Sequence, residues 1–214
     1  KNAFANSVSL YNSGNYCIPL LQLLYKNDPF VMSVQAVIMT VQNILVSTFG
    51  ALNASSGKYG IKKALVDVLK LPLLYVSILA VLFKLLQLSL WQPIVSTLDI
   101  ISSGLVPMAL FTLGAQLATT KINFSDFRVY LTSFLKLIIA PIVAFFIIKL
   151  CGITGVTAAV VLIVSSAPTA VNALILAIEF DNEPEFVSHA VFFTTVLSAI
   201  TVTLVIYFTQ IYIS

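Results

Sequence analysis

An all-α membrane protein is the predicted fold class: a polytopic helical bundle built on inverted five-helix repeats, with two broken helices. Three features of the chain predict it. Charge is scarce, 9% of 214 residues against 59% hydrophobic, where a soluble domain carries roughly 25% charged residues. Apolar residues gather in seven long runs separated by short polar connections. Two of those runs carry polar, proline-containing interruptions at their centres. With a mean hydropathy of +1.04, too little polar side chain is present to cover a water-facing surface.

A bilayer core takes about 20 apolar residues per helix. The runs lie at Ala3–Tyr25, Phe30–Leu52, Leu71–Leu90, Ile94–Ala118, Tyr130–Cys151, Val156–Ile178 and Val187–Tyr212. The longest connection is Asn53–Lys70, whose second half, from Ile61, has the pattern of an amphipathic helix at the interface. Seven spans put alternate connections on opposite sides. Lys1, Lys58, Lys62, Lys63, Lys70, Lys121 and Arg128 share one side, and Lys26, Lys84 and Lys149 the other. The richer side is predicted to be cytoplasmic. The net charge of +3 therefore reports membrane orientation and implies no nucleic-acid partner. Cys17 and Cys151 sit in apolar runs without ligand spacing, so they read as small packed residues and imply neither disulfide nor metal.

The connection after the first run repeats after the sixth. "YKNDPFVMSVQAVIMT", from Tyr25, aligns without a gap on "FDNEPEFVSHAVFFTT", from Phe180, 155 residues later. Asn27 meets Asn182, Pro29 meets Pro184, Ser33 meets Ser188 and Thr40 meets Thr195. The first and sixth spans then correspond, so the unit is five spans. An odd number inverts the second copy, a plan common among secondary transporters. Residues 1–52 would end the first repeat, 53–70 form a cytoplasmic loop, and 71–214 form the second repeat. Three spans, roughly 90 residues at about 30 per span and connection, are expected upstream.

In the sixth run, Ser165, Ser166, Pro168, Thr169 and Asn172 interrupt the apolar pattern. Pro168 removes a backbone donor and drives Ala167 from helical angles. In the first run, Asn12, Ser13, Gly14 and Asn15 do so, with Pro19 expected to act as Pro168 does. Unwound backbone within a bilayer is tolerated only when buried in protein or lining a wet cavity. Both breaks are therefore expected to face one interior, where half-helix N-termini, each with about half a positive charge, would receive an anion. Asn15 and Asn172 would add directional donors and acceptors.

At these residues the chain resembles the auxin efflux carrier family, which includes bacterial permeases for organic anions. The matching stretches are "NSGNYCIPL" from Asn12, "LVPMALFTLGAQLA" from Leu105, "LKLIIAPIVAF" from Leu135 and "SSAPTAVNALILAIEF" from Ser165. The resemblance covers nearly the whole chain, as the last seven of the family's ten helices. It implies that the two broken helices cross at the substrate site, and that a transport domain moves in an elevator-like way against a scaffold, often in a homodimer. It carries Asn15 and Pro19 to the first crossing element and Pro168 and Asn172 to the second; Thr169 is added here as a contact. The short connection at 53–70 favours a microbial permease in a bacterial plasma membrane. Cys17, where the family often has a small residue, and the bulky Tyr16 alter the expected pocket.

Lys136 lies within the fifth span and reads as an anion contact, with snorkelling or pairing with Asp99 as the other readings. Asp99 reads as interfacial, or alternatively as a proton-coupling carboxylate. His189 reads as interfacial, Gly114 as permitting close helix packing, and Gln35, Gln42 and Asn43 as a polar seam or interhelical bonds. No phosphate-binding loop or cofactor motif is present, and no nucleophile–base pair suggests an enzyme. The leading reading is a secondary transporter for a small organic anion such as a carboxylate. The alternatives are a sodium-coupled carrier of the bile-acid type and a receptor that binds without transport.

Overall fold

A computed structural model describes residues 2–55, 60–70, 72–88, 90–119 and 126–212. Lys1, Lys58 and Lys121, used above to orient the chain, lie outside the described residues, as do the side chains of Lys84 and Gln116. The described residues are helical apart from turns and one isolated β-bridge. Among the described residues, four helices are long and apolar enough to cross a bilayer: Pro29–Ala54, Gln92–Ala115, Phe127–Leu150 and Pro184–Tyr212. They match the second, fourth, fifth and seventh predicted runs. The third run forms a shorter helix, Pro72–Leu85, of 14 residues, about 21 Å at 1.5 Å per residue.

The first and sixth runs are broken, as their polar centres predict. Helix α1 (Asn2–Ser9) stops, an extended stretch follows, and a π-turn at Ser13–Cys17 leads into α2 (Ile18–Leu24). The helix α3–α4 (Pro29–Leu45, a π-turn at Val46–Gly50, then Ala51–Ala54) comes next. Helix α5 (Ile61–Leu69) forms in the long connection, followed by α6 (Pro72–Leu85), α7 (Gln92–Ser103) and α8 (Leu105–Thr119). The fifth run is α9 (Phe127–Phe134), a π-turn at Leu135–Ile139, and α10 (Ala140–Leu150). The sixth is α11 (Gly155–Ser165) and α12 (Val171–Glu179), and α13 (Pro184–Tyr212) closes the chain.

The two hairpins that suggested a repeat share local geometry. Helices α2 and α12 both end with a left-handed residue, Lys26 at φ 51° and Asp181 at φ 48°. In each case the next N–H closes back onto the helix, Asn27 to Gln22 O at 3.0 Å and Asn182 to Ala177 O at 2.8 Å. This is the six-to-one closure of a Schellman turn. Pro29 and Pro184 then open the following helices in the first turn, where a missing N–H costs nothing. Asp28 caps α3 by accepting from Phe30 N and Val31 N at 2.8 and 3.1 Å.

One apolar cluster packs α1, α4 and α12 against α13 around Val187 and Val191. A second joins α2, α3 and α11 around Leu21, Val31 and Ile163. The broken helices thus sit between α3 and α13. Helices α6 and α7 are peripheral, and α7 buries none of its side chains, whereas α8 packs on the π-turn Ser13–Cys17 and on α2. No described atom lies within 4 Å of a Cβ built at Gly114, so the close packing expected of that glycine is corrected: α8 meets no backbone there. Cys17 is buried, but Cys151 is exposed at the turn after α10, which corrects its reading as a packed residue.

Polar contacts tie the start of α9 to the second hairpin. Arg128 donates to Asp126 at 2.9 Å and also to Glu183, and its guanidinium lies 4.6 Å from the centre of the Phe186 ring. The guanidinium holds the Asp126 carboxyl below the usual carboxylate range. A depressed folded pKa gives stability that is present above the unfolded value, about 3.9, and lost as pH falls through the folded one. Acid melting of the purified protein should therefore steepen below about pH 4, and Asp126→Asn should flatten that limb by lowering the neutral melting temperature, the two proteins converging at low pH where the wild-type carboxylate is protonated.

Candidate functional site

The two breaks meet. Asn12 N–H donates to Pro168 O at 2.9 Å and Ala170 N–H donates to Leu10 O at 3.0 Å. This is an antiparallel bridge between Tyr11 and Thr169, so the broken spans run in opposite directions where they cross. Each unwound strand supplies the other with the ladder partners that helix would have given. An unpaired backbone group in a non-polar medium costs about 2–7 kcal/mol.

The remaining freed groups are met by side chains from neighbouring helices. Gln35 and Gln42, seven residues apart on α3 and so on one face, reach the first break. Gln35 Nε2 donates to Ser13 O at 2.7 Å, and Gln42 Nε2 donates to Tyr11 O. Thr169 Oγ donates to Ser7 O at 2.8 Å, while Thr169 N–H donates to Thr194 Oγ on α13 at 3.1 Å. Ser198, one turn further along α13, donates to the Tyr16 hydroxyl at 3.0 Å. Helix α11 ends on its own serines, Ser165 Oγ to Leu162 O at 2.7 Å and Ser166 Oγ to Ile163 O at 2.6 Å.

Lys136 sits on the π-turn between α9 and α10, 2% exposed. Its ammonium donates to Val8 O at 3.0 Å, at the C-terminal end of α1, and lies 5.1 Å from the centre of the Tyr11 ring. That end carries the negative pole of the helix, and the ring face is also negative. The pairing with Asp99 weighed from sequence is corrected: Asp99 is exposed on peripheral α7, and Lys136 is held by a carbonyl and a ring. A neutral carbonyl suffices because a helix end already concentrates negative charge.

Beside the bridge lies a cavity of about 130 Å³ lined by residues 11–15, by Ala170, Val171 and Asn172, and by Met39, Gln42 and Asn43. That is room for on the order of four waters at roughly 30 Å³ each. The structure brings Asn15 and Asn172 to this wall, from the first turns of the two half-helices that start at Ser13 and Val171. Neither helix start carries a side-chain cap, and the first residues of both line the same small space. No carboxylate is among the lining residues.

Three other sequence candidates stand behind the wall. Pro19 lies in the first turn of α2, where it fits the helix, so the first break owes nothing to it and begins at Leu10. Pro168 is buried in the second break, its carbonyl taken by Asn12. Thr169 is fully buried, with its hydroxyl and amide both engaged. Asn12 and Gln42 were not among the substrate contacts expected from sequence, although Gln42 was read as part of a polar seam or an interhelical bond; both line the cavity while buried, and Asn12 Nδ2 and Gln42 Oε1 have no partner among the described residues. Gln35 Oε1 is likewise unpaired. The seven-residue spacing of Gln35 and Gln42 on one face of α3 was the available signal. His189, expected near an interface, is buried at the start of α13.

The sequence profile of the membrane transport protein family matches residues 1–206. An uncharacterised transporter of Methanocaldococcus jannaschii is 28% identical over 75% of this chain and 53% of its own length. Another, of Methanothermobacter thermautotrophicus, is 32% identical over 62% of this chain and 44% of its own. The uncharacterised transporter YfdV of Escherichia coli is 28% identical over 76% and 53%. The chain thus spans about half the length of the curated relatives it matches.

Removing a clamp on the unwound backbone should cost stability. Gln35→Leu leaves Ser13 O unmet and should destabilise the protein by about 1–3 kcal/mol, read as a lower melting temperature in detergent. Gln35→Glu, protonated at low pH, should recover part of that loss as pH falls.

Proposed function

Because the chain belongs to the membrane transport protein family, the auxin efflux carrier family that its sequence resembles, we propose that it forms the binding core of a secondary transporter for a small organic anion. The observation that carries this reading is the cavity beside the Tyr11–Thr169 bridge, where two uncapped helix starts and two asparagines face one space. Helix N-termini attract carboxylates through their free N–H groups and their dipole. Lys136 offsets the negative end of α1 from behind Tyr11, so the field at the cavity is dominated by the positive ends. Asn12 Nδ2 and Gln42 Oε1 are an unmet donor and an unmet acceptor at the same wall. A carboxylate with a further polar group answers both.

The same construction supports alternating access. The crossing is held by two backbone hydrogen bonds and a few side chains, so α1–α2 and α11–α12 would move as one body with α3 and α13. The matched Schellman turns and proline starts 155 residues apart support an inverted repeat. Peripheral α6 and α7, with few buried side chains, suit the scaffold against which that body moves, with α8, packed on the π-turn Ser13–Cys17 and on α2, at the boundary, in a homodimer in a bacterial plasma membrane. Coupling is assigned to protons, with exposed Asp99 the carboxylate to test. The sodium-coupled reading is weaker, since Na⁺ wants several oxygens, usually with a carboxylate, and the lining offers amides.

Uptake of labelled dicarboxylates by the full-length protein in liposomes tests the site. Asn15→Ala and Asn172→Ala should each weaken apparent affinity about 10-fold or more, the scale of one hydrogen bond to a charged group. Wild-type affinity and rate in both variants would exclude the crossing as the substrate site. Lys136→Met should reduce transport of the anion more than Lys136→Arg, which keeps the charge. Uptake that follows a pH gradient and survives sodium removal is the expected coupling; loss on removing sodium would favour the other carrier type.

A further inference from the structure

Away from the crossing, two cavities of about 380 Å³ each lie on the face made by α10, α11 and α13. The first is an apolar groove. Pro141, Ile142, Phe146 and Leu204 line it, and of these Ile142, Phe146 and Leu204 are exposed on helices of membrane-spanning length. The second is a cleft where three helix ends come together: the C-terminal ends of α10 and α13 and the start of α11. Lys149, Gly152, Thr154 and Tyr212 line it. The cavities share Phe145 and Phe208, whose rings meet edge to face with centroids 5.5 Å apart.

The chemistry changes along this path. The groove offers hydrocarbon and one threonine hydroxyl. The cleft offers the Lys149 ammonium, which lies 5.0 Å from the centre of the Phe145 ring and has no acidic partner among the described residues. Gly152 and Gly155 adopt φ of 65° and 62°, conformations that other residues enter at a cost. They allow the chain to reverse within Cys151–Thr154 and keep that side of the cleft free of side chains. Tyr212, 4.8 Å ring to ring from Phe208, lines the cleft at the C-terminal end of α13, and tyrosines favour the headgroup level.

We propose that this face is a binding site for an anionic phospholipid, with an acyl chain in the groove and the headgroup phosphate in the Lys149 cleft. Charge complementarity selects this occupant. A soluble anion would leave the groove unused. A second copy seated twofold on the cleft would bring two Lys149 ammoniums together, a costly like-charge contact. Lys149 lies on the side opposite the lysine-rich connections, so the lipid belongs to the outer leaflet, where the ammonium attracts a headgroup phosphate as basic cavities on the cytoplasmic side do.

Brominated lipids test the assignment in the full-length protein. A Trp91→Phe, Leu204→Trp variant places a single reporter in this chain, at an exposed groove position. Phosphatidylglycerol with brominated acyl chains should quench it with a preference over brominated phosphatidylcholine of about fivefold, the scale of one lysine beside anionic lipid. Lys149→Gln should bring the two lipids to equality without changing the melting temperature. Glycerol 1-phosphate, which has the headgroup charge and no tail, should not compete. Equal quenching by both lipids, a preference that survives Lys149→Gln, or full competition by glycerol 1-phosphate would each overturn the proposal. So would the absence of quenching by either lipid, which would mean that protein covers the groove.

Discussion

The structure depends on one demand: backbone polar groups withdrawn from water must be paired. Helices meet it internally, which is why nearly every described residue is helical. Two spans give that up at their centres, and neither could do so alone. Leu10 to Asn12 and Pro168 to Ala170 complete each other with two backbone hydrogen bonds across more than 150 residues of chain. The crossing is therefore a mutual repair, and the cavity beside it exists only where both breaks are present.

The repair is unequal on its two sides. The second break follows from proline chemistry, and serines on α11 close that helix from within. The first break has no proline in it. Its carbonyls are met from outside, by Gln35 and Gln42 on α3, by Thr169 and by Lys136. This leaves one half-helix end met by the Lys136 side chain and the other by serine hydroxyls. The positive ends at Ser13 and Val171 are left facing the cavity without caps. Three π-turns accompany this arrangement, at Ser13–Cys17, Val46–Gly50 and Leu135–Ile139. The first turns the chain out of the break. The second presents the Gly50 carbonyl, which accepts from Asn6 Nδ2 at 2.9 Å, and the third carries Lys136. Such insertions alter helix phase by one residue and are frequent at functional sites.

Around this polar centre, packing divides the molecule. Helices α1 to α4, α9 and α11 to α13 share two apolar clusters that enclose the crossing, and α10 packs on α11 in a third. Helices α6 to α8 carry large exposed aliphatic and aromatic side chains and contribute little to either. In water such surfaces would associate; against lipid or another helix they are at rest. The same distinction holds on the α10–α13 face, where an apolar groove ends at a lone ammonium.

Composition by itself determined the membrane setting and the helical class, because 9% charge cannot dress a soluble surface. Periodic runs located the spans, and the polar clusters at residues 12–15 and 165–172 marked which two would break, since such residues are expensive against lipid. Local signals, Pro29 with Asp28 and Pro184 after Asn182, fixed the paired turns. Tertiary structure alone decided that the breaks pair with each other, that the first begins at Leu10 ahead of Pro19, and that Lys136 serves a helix end and not Asp99. It also decided that Asn12 and Gln42 share the cavity with Asn15 and Asn172. Each of these depends on which groups stand opposite one another after the chain has folded. Spacing along one helix records its own face and is silent about what that face meets.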